Sequence, residues 1–363
     1  MQFFYNHTNH YFYRYTQILV MNIWNIKKSI KFCKIVLPAY IKARFKTRPV
    51  WAHLVVTRKC NLNCKYCFAK DDKKSDLNEE QLRRIIDHLY SLGCRFVSFF
   101  GGEPTIKKFF VNLVRYTNQK GIITHLSTNG ILLTPVYIDE LGKAGIDVIN
   151  LSIDSLLESY ASEKDYIKSR EVLNNLIDAR KKYGFEINLN LTLTNKNTNS
   201  VIGIIKSFNV FEIPISIGLI VANTYDSKAL DESLFFKTKE DKTNLYNVLD
   251  EIKTLRKRGY NIIDPLQYFD DIRKFVDGTL YDWYCCAGEY YFSVDCDGKF
   301  QICAGLPAEE ISIFDIDRDY YEKLADIREK RLSQCKKICL SNCLYDTSYF
   351  IKHPLYFIKE IFQ

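Results

Sequence analysis

From residue 51 onward, short runs of β-branched and aromatic residues alternate with longer stretches whose apolar residues recur at helical spacing. The short runs predict strands and the longer stretches predict amphipathic helices. Strands that alternate with helices form βαβ units and a mostly parallel sheet. The predicted strands lie at residues 51–57, 95–100, 122–127, 147–153, 186–194 and 214–221.

Several of the predicted helices have recognisable end signals. Asn78 can cap a helix, and Gln81 stands at the capping-box position three residues later. Two further helical patterns, at 164–183 and 239–258, each run into a glycine, which commonly ends a helix. These signals support an α/β domain over residues 51–270.

Three cysteines follow the first predicted strand at C-x3-C-x2-C spacing, as Cys60, Cys64 and Cys67. Cysteine thiolates ligate iron–sulfur clusters, and three of them would leave one iron of a 4Fe–4S cube open to a substrate or cofactor. The alternatives are a structural zinc knuckle or three buried thiols. Zinc would require a fourth Cys or His at short range, and none follows before His88. The spacing therefore favours a cluster.

Glycine and short polar residues come at the ends of the next three predicted strands. In parallel sheets, ligands collect at the carboxyl ends of the strands, so these segments predict one site at one rim. The alternative is that the short polar side chains cap the helices that follow. The segments are Gly101-Gly102-Glu103-Pro104, Ser127-Thr128-Asn129-Gly130, and Ser152 with Asp154.

The cysteine spacing, the aromatic Tyr66 and Phe68 beside the third cysteine, and the Gly-Gly-Glu-Pro segment together resemble the radical S-adenosylmethionine (radical SAM) superfamily. The resemblance implies a partial (β/α)6 TIM-like barrel over residues 51–270. It also implies an oxidoreductase-type reaction, in which SAM bound to the open iron is cleaved reductively to a 5′-deoxyadenosyl radical that abstracts hydrogen from a substrate.

The same resemblance implies roles in SAM binding. Gly101 and Gly102 lack β-carbons, so the backbone can approach the methionine portion closely. Glu103 would offer its carboxylate to the ammonium group. The other implied contacts are Phe68, Pro104, Ser127, Asn129, Ser152, Asp154 and Ile220.

A second group of cysteines lies beyond the barrel. Asp297-Gly298 predicts a hairpin there that would bring Cys286 near Cys303. The pattern resembles the SPASM/Twitch auxiliary-cluster domain, expected at 271–348. Because the full SPASM pattern is incomplete, the resemblance implies one auxiliary 4Fe–4S cluster. The implied ligands are Cys286, Cys303 and two of Cys335, Cys339 and Cys343.

Some alternatives stay open among the other cysteines and the histidines. Cys285 competes with Cys286, and four of these cysteines would also suit a structural zinc ion. Cys33, Cys94 and Cys296 are expected to be incidental thiols. His53 and His125 are expected to be core residues.

Composition bears on the compartment and on the N-terminal segment, residues 1–50. The chain has twelve cysteines in ligand-like groups and no recognisable signal peptide, which favours a reducing cytoplasm. Nine of the 51 basic residues and none of the 43 acidic ones lie in residues 1–48, so the net charge of +8 comes from there. An amphipathic helix within it would pack on the main domain or touch an anionic membrane surface, and the packing role is favoured. Nucleic acid is not expected.

The substrate remains open at this level. Maturation of a ribosomally made peptide is the first expectation. The alternatives are radical chemistry on a small molecule or lipid at a membrane, and a non-catalytic iron–sulfur or zinc protein. Expected partners are an external electron donor such as flavodoxin or ferredoxin and a separate peptide-recognition protein, because residues 1–50 show no winged helix. An aromatic tail, 349–363, would cover the barrel mouth or pack on the N-terminal helix.

Overall fold

The computed structural model describes residues Lys34, Pro38, 49–71, 73–157, 161–220, 231–280, 283–317, 320–335 and 339–353. In these ranges, one eight-stranded sheet has the order β6-β5-β4-β3-β2-β1-β7-β8. The strands are β1 (Trp51–Thr57), β2 (Phe96–Gly101), β3 (Ile123–Thr128), β4 (Val148–Ser152), β5 (Glu186–Leu193), β6 (Ile215–Leu219), β7 (Tyr291–Val294) and β8 (Phe300–Gln301).

The predicted fold class is confirmed. Strands β1 to β6 pair in parallel with their sequence neighbours, and the sheet stays open because β6 and β8 lie at opposite edges. The six sequence-predicted strands correspond to β1–β6, with boundaries that differ by at most two residues. An open parallel sheet with crossover helices is the partial barrel that was expected.

Helices connect the strands. Asn78 and Gln81 form the predicted capping box, and Gly184 ends a helix in the left-handed conformation with φ of 73°. The helices are α1 (Glu79–Leu92), α2 (Phe110–Gln119), α3 (Pro135–Ala144), α4 (Tyr166–Tyr183), α5 (Thr198–Asn209), α6 (Lys239–Lys257), α7 (Leu266–Val276), α8 (Tyr320–Cys335) and α9 (Asn342–Lys352).

The two faces of the sheet differ in chemistry. Side chains alternate between faces along a strand, and β5 shows this as a strict alternation of buried Ile and Leu with half-buried Glu, Asn and Thr. The apolar face belongs to the main hydrophobic core with the helices. The opposite face, called the inner face below, carries mainly polar residues on β3–β6.

The hairpin of the C-terminal region extends this same sheet. The predicted turn at Asp297-Gly298 lies between β7 and β8, which pair antiparallel. The sequence did not indicate that β7 would pair in parallel with β1, from Trp51 opposite Tyr291 to Leu54 opposite Val294. This pairing places the hairpin directly beside the strand that precedes the first cysteine group.

Several expectations fall outside the described residues. Of the predicted N-terminal helix only Lys34 and Pro38 are described, both helical and exposed, and Cys33 is not described. Of the predicted tail, residues 349–352 form the last turn of α9 and residue 353 follows it, and 354–363 are not described. Within the described ranges, the helices are too short or too polar to cross a membrane.

Candidate active site

The loop that follows β1 carries the first cysteine group at the carboxyl end of the sheet. Cys60, Cys64 and Cys67 are half-buried. Burial, the Glu103 carboxylate and the thiols of Cys67 and Cys64 raise the pKa of Cys60. Three thiols near enough to influence one another, at an accessible strand end, are a suitable donor set for a cluster that binds each thiolate through a different iron. Nowhere in the described ranges do three Cys, His, Asp or Glu side chains converge on the position of a single metal ion.

Gly101 and Gly102 let the end of β2 lie directly against this loop. A β-carbon on Gly101 would stand 2.0 Å from the Thr57 carbonyl oxygen, and one on Gly102 would stand 2.1 Å from that of Lys59. The amides of Gly102 and Glu103 donate to these same two carbonyls at 2.8 and 2.9 Å. Any larger residue would separate the two strand ends, so the glycines are needed for the backbone packing seen here as well as for the expected approach of methionine.

Glu103 is buried, and its carboxylate joins β2 to β3. One oxygen accepts from the Thr105 amide and hydroxyl at 3.1 and 2.6 Å and from the Thr128 hydroxyl at 2.9 Å. The other accepts from the Asn129 amide at 2.8 Å. Burial raises the pKa of Glu103. The residue expected to bind the SAM ammonium therefore already organises the Asn129 turn, and its contact with SAM stays a prediction.

Asn129 extends this connection to the cysteine loop. Its side-chain amide donates to Asn61 Oδ1 at 2.8 Å and lies 3.9 Å from Cys60 Sγ. Its Oδ1 accepts from the Ile131 amide at 3.0 Å. The Gly-Gly-Glu-Pro segment, the Asn129 turn and the cysteine loop therefore form one hydrogen-bonded unit, as the sequence predicted for the rim.

Asp154, at the end of β4, is a second buried centre. One carboxylate oxygen accepts from the Tyr66 hydroxyl, from Ser162 Oγ at 2.6 Å, and from Lys164 Nζ at 3.3 Å. The other accepts from the Thr192 amide at 2.9 Å. Burial and the Asp154 charge raise the pKa of Tyr66 well above its usual range, so its hydroxyl stays protonated and donates.

The Asp154 cluster also reaches the first cysteine group. Ser162 Oγ lies 3.6 Å from Cys64 Sγ, and the Lys65 amide donates to the Ala161 carbonyl at 3.1 Å. The Asn63 amide donates to Glu163 Oε1 at 2.8 Å. Asp154 was expected to contact SAM, and that contact stays a prediction. The structure assigns it a second task, which is to hold the cysteine loop against β4.

The remaining implied SAM contacts lie on the same rim. Ser127, the last residue but one of β3, and Ser152, the last residue of β4, lie on the inner face. Pro104 begins a single turn of 3-10 helix, Pro104–Ile106. Phe68 has its ring centroid 6.5 Å from that of Phe100, and Ile220 is buried just after β6. His53 and His125 lie deeper in the strands, as expected, and burial lowers their pKa values to about 3 and about 4.

A buried ion pair joins the cysteine loop to the C-terminal hairpin, and sequence reasoning missed it. Arg58 Nε donates to Asp295 Oδ1 at 2.9 Å, and both side chains are fully buried. Lys74 also pairs with Asp295. These two cations hold the pKa of Asp295 at about 2 despite its burial. A basic residue beside the cysteine motif and an acidic residue beside the hairpin turn were visible signals, but 237 residues separate them.

The second cysteine group assembles from five places along the chain. It draws on the segment before β7, the residues just after β8, the end of α8, the connection between α8 and α9, and the start of α9. Burial, with the thiols of Cys285, Cys335 and Cys343, raises the pKa of Cys303 well above its usual range. The pKa of Cys339 is also raised well above its usual range, by a hydrogen bond with Cys335, by burial, and by the thiols of Cys335, Cys303 and Cys285.

These interactions favour Cys285 over its neighbour Cys286 as a ligand in the second cysteine group. The Cys285 thiol raises the pKa values of both Cys303 and Cys339. The pKa of Cys286 is instead raised by burial and by Cys285, and it is lowered by a hydrogen bond with Ser348. The Cys286 amide also donates to Ser348 Oγ at 2.9 Å, which draws this residue toward α9. The sequence-based choice of Cys286 stays untested, and the arrangement argues for the competitor. Cys296, expected to be incidental, is buried and its thiol donates to the Ser75 carbonyl at 3.6 Å.

Helix α9 brings one member of the second cysteine group, Cys343, next to the inner face of β6. Asn342 donates to Ser216 Oγ at 2.9 Å, and a β-carbon on Gly218 would stand 2.8 Å from Asn342 Oδ1. Asp264 accepts from the Ile217 amide at 2.7 Å, which satisfies the open edge of β6. Burial raises the pKa of Asp264 to about 6. Cys343, one residue after Asn342, therefore lies beside the barrel interior.

Comparisons with known proteins agree with this geometry. The family model described as the Radical SAM superfamily matches residues 54–206. Among curated proteins, the Fe-coproporphyrin III synthase of Methanosarcina barkeri is 26% identical over 209 residues, which cover 56% of this chain and 52% of that protein. The chain thus spans about half the length of this relative.

Solved structures share the fold. Streptococcus suis SuiB bound to its precursor peptide SuiA superposes with a TM-score of 0.59 at 18% identity, covering 77% of this chain and 67% of that one. The anSMEcpe protein with bound AdoMet gives a TM-score of 0.56 at 18% identity, covering 86% of this chain and 98% of that one. At this level of identity the similarity establishes a common architecture.

Proposed function

We propose, from the premise that residues 54–206 are a radical SAM domain, that this protein is a radical SAM enzyme that matures a ribosomally made peptide. The observation that carries the radical chemistry is the rim itself. Three thiols, the Gly101-Gly102 approach and the Asn129 turn meet in one hydrogen-bonded unit at the carboxyl ends of β1–β3. These cysteines would hold a 4Fe–4S cluster, which would supply the electron for reductive cleavage of SAM to methionine and a hydrogen-abstracting 5′-deoxyadenosyl radical.

The chain's own residues have distinct tasks in this proposal. Cys60, Cys64 and Cys67 would hold the cluster, and Asn129 and Asp154 keep their loop in place from two sides. The backbone at Gly102 is half-exposed and lies at the loop, where it can meet the methionine part of SAM. The strand residues below the rim are buried in the core, so bulk water does not reach the site from that direction.

The second cysteine group would hold one auxiliary 4Fe–4S cluster of the SPASM/Twitch type. Its support is a set of five neighbouring thiols that shift the pKa values of Cys303 and Cys339, with Cys343 following the residue that contacts β6. A zinc ion in the same thiols is the alternative.

Peptide maturation is supported by the shared architecture. The solved structure of SuiB contains its precursor peptide SuiA, and its fold covers 77% of this chain. A second fold relative, anSMEcpe, has also been solved with AdoMet and the Cp18Cys peptide, at a TM-score of 0.55. A small-molecule substrate is the second candidate, and the similarity to Fe-coproporphyrin III synthase favours it.

The first experiment measures iron, sulfide and SAM cleavage together. Wild-type protein and a Cys60/Cys64/Cys67→Ala variant are reconstituted anaerobically and then reduced with dithionite in the presence of SAM. We expect about eight irons in the wild type and about four in the variant, with 5′-deoxyadenosine formed by the wild type alone. Cys94→Ala is the control, because Cys94 is a buried thiol packed in the hydrophobic core.

Two outcomes would contradict the proposal. Zinc in place of iron at the first group would indicate a structural site. A fully loaded wild type that leaves SAM intact would indicate a protein that binds clusters without radical chemistry.

A further inference from the structure

Two asparagines face each other on the inner face of the sheet, below the rim. Asn150 on β4 and Asn188 on β5 are direct partners in the parallel register. Ser127 on β3 stands beside Asn150 in the same rung. The three residues form a row of uncharged hydrogen-bonding groups across three strands, two residues before the end of β4 and five before the end of β5.

Within the described part of the chain, no hydrogen-bond partner is found for these side-chain amides. Oδ1 of Asn150 is buried and accepts no hydrogen bond. The side chain of Asn188 is half-buried, and the described residues offer it no hydrogen bond. A buried polar group without a partner reduces stability, so folded proteins satisfy nearly all of them with protein or solvent. Unsatisfied amides that face a barrel interior are therefore available to a ligand.

The lower part of the inner face is different, because its two histidines are hydrogen-bonded within the protein. His53 Nδ1 lies 2.7 Å from the Tyr291 hydroxyl, and His125 Nδ1 lies 2.6 Å from Ser98 Oγ. Burial lowers the pKa of both histidines, which therefore stay neutral near pH 7. Free bonding capacity therefore begins above this neutral, internally bonded floor, at the asparagine row.

The row is suited to a neutral ligand. On the described strands β3–β6, inner-face positions are uncharged apart from Glu186, at the first residue of β5 and opposite Val148. A phosphate or carboxylate would enter without an opposing cation there, at a large desolvation cost. A carboxamide presents both a donor and an acceptor, and a peptide amide presents one of each.

We propose that Asn150 and Asn188 bind an uncharged backbone amide of the peptide substrate inside the barrel. This inference rests on the proposed peptide-modifying function and adds to it the part of the substrate that the sheet recognises. The rung lies near Ser152, so a peptide held there reaches toward the rim where the first cysteine group stands.

The test uses the reconstituted protein with SAM and a capped, uncharged probe, N-acetyl-triglycine amide, followed by saturation-transfer NMR titration. Asn150→Leu and Asn188→Leu remove the amide and keep a similar volume. We expect each to weaken probe binding by about fivefold or more. Asn174→Leu is the matched control, because Asn174 is exposed on α4, and its affinity should equal that of the wild type.

Thermal unfolding gives a second readout that a structural role would not produce. Replacing a buried amide that has no partner by an apolar side chain removes an unsatisfied group, so the Tm should stay level or rise. A Tm that falls while probe affinity is unchanged would overturn the inference. So would the absence of probe binding to the wild type, or guanosine monophosphate binding that the Asn variants abolish. SAM cleavage by the wild type is measured separately, and its failure would count against the proposed function alone.

Discussion

The two cysteine groups reach their positions in different ways. The first lies within residues 60–67, on one loop whose place is set by its own strand and by the turns after β2 and β3. The second spans residues 285–343 and depends on a hairpin and two helices that must all dock correctly. A short-range motif can be read from spacing, whereas an assembled group depends on tertiary packing that the spacing does not encode.

The largest expected effect separates Cys285 from Cys286. Because Cys285 interacts with both Cys303 and Cys339, Cys285→Ala should lose the auxiliary cluster and bind about four irons instead of about eight. Cys286→Ala should keep about eight irons, since the Cys286 thiol interacts with Ser348 and not with Cys303 or Cys339. Iron and sulfide analysis after anaerobic reconstitution measures both. The reverse pattern would restore Cys286 as the ligand that the sequence favoured.

The second prediction breaks the connection between the two regions. Asp295→Ala leaves Arg58 buried beside the first cysteine loop without its carboxylate partner. An uncompensated buried charge is strongly destabilising, so we expect the free energy of unfolding to fall by about 3 kcal/mol or more. Denaturant titration measures the loss. We also expect lower iron content at the first group, since Arg58 donates to the Ala69 carbonyl within that loop.

Lys299→Ala is the control for this change. Lys299 lies on the same hairpin and pairs with Glu310, whose side chain is 87% exposed. Such surface pairs contribute about 0–1 kcal/mol. Equal losses in the two variants would show that the hairpin is stabilised without the buried pair.

The sequence predicted more of the first region than of the second. Strands β1–β6, the capping box at Asn78 and the hairpin turn at Asp297-Gly298 all depend on local patterns, and the structure contains them. The cysteine loop and the Gly-Gly-Glu-Pro segment meet at one rim because parallel strands share a carboxyl edge.

What the sequence could not predict depends on contacts between distant residues. The pairing of β7 with β1 and the ion pair of Arg58 with Asp295 join segments more than 200 residues apart. The side chains of Glu103 and Asp154 were expected to face a ligand, yet each accepts several hydrogen bonds from the chain itself. Residue type indicated a polar site, but the partner of each polar atom is set by packing.

The third prediction sharpens the account of how the first loop is held. Tyr66→Phe removes the hydroxyl that donates to Asp154 and leaves a buried carboxylate with one partner fewer. Hydrogen bonds to charged groups contribute about 1.5–3 kcal/mol, so we expect the free energy of unfolding to fall by about 2 kcal/mol. Denaturant titration measures it. Tyr116→Phe removes a hydroxyl from an exposed carboxylate, Asp87, and should change stability much less. Similar effects in the two variants would argue against a buried anchor.

The smallest expected effect concerns the lower part of the inner face, where the contact of His53 on β1 with Tyr291 on β7 joins the barrel to the C-terminal hairpin. Burial lowers the pKa of His53 from 6.5 to about 3, so the unfolded chain takes up a proton near pH 6.5 and the folded chain does not. Stability is therefore lost as the pH falls below 6.5. When the pH is lowered from 7.5 to 5.5, this histidine should reduce the free energy of unfolding by about 1.4 kcal/mol. Because burial also lowers the pKa of His125, to about 4, it should add a similar loss.

His53→Gln removes the titrating group and keeps a polar side chain next to Tyr291. Denaturant titrations at pH 7.5 and pH 5.5 should therefore show a loss of stability about 1.4 kcal/mol smaller than that of the wild type, and the double variant with His125→Gln should reduce the loss by a similar further amount. An unchanged loss in His53→Gln would mean that this histidine is protonated in the folded protein as readily as in the unfolded chain. The floor would then be a charged surface, and the contrast with the neutral asparagine row above it would fail.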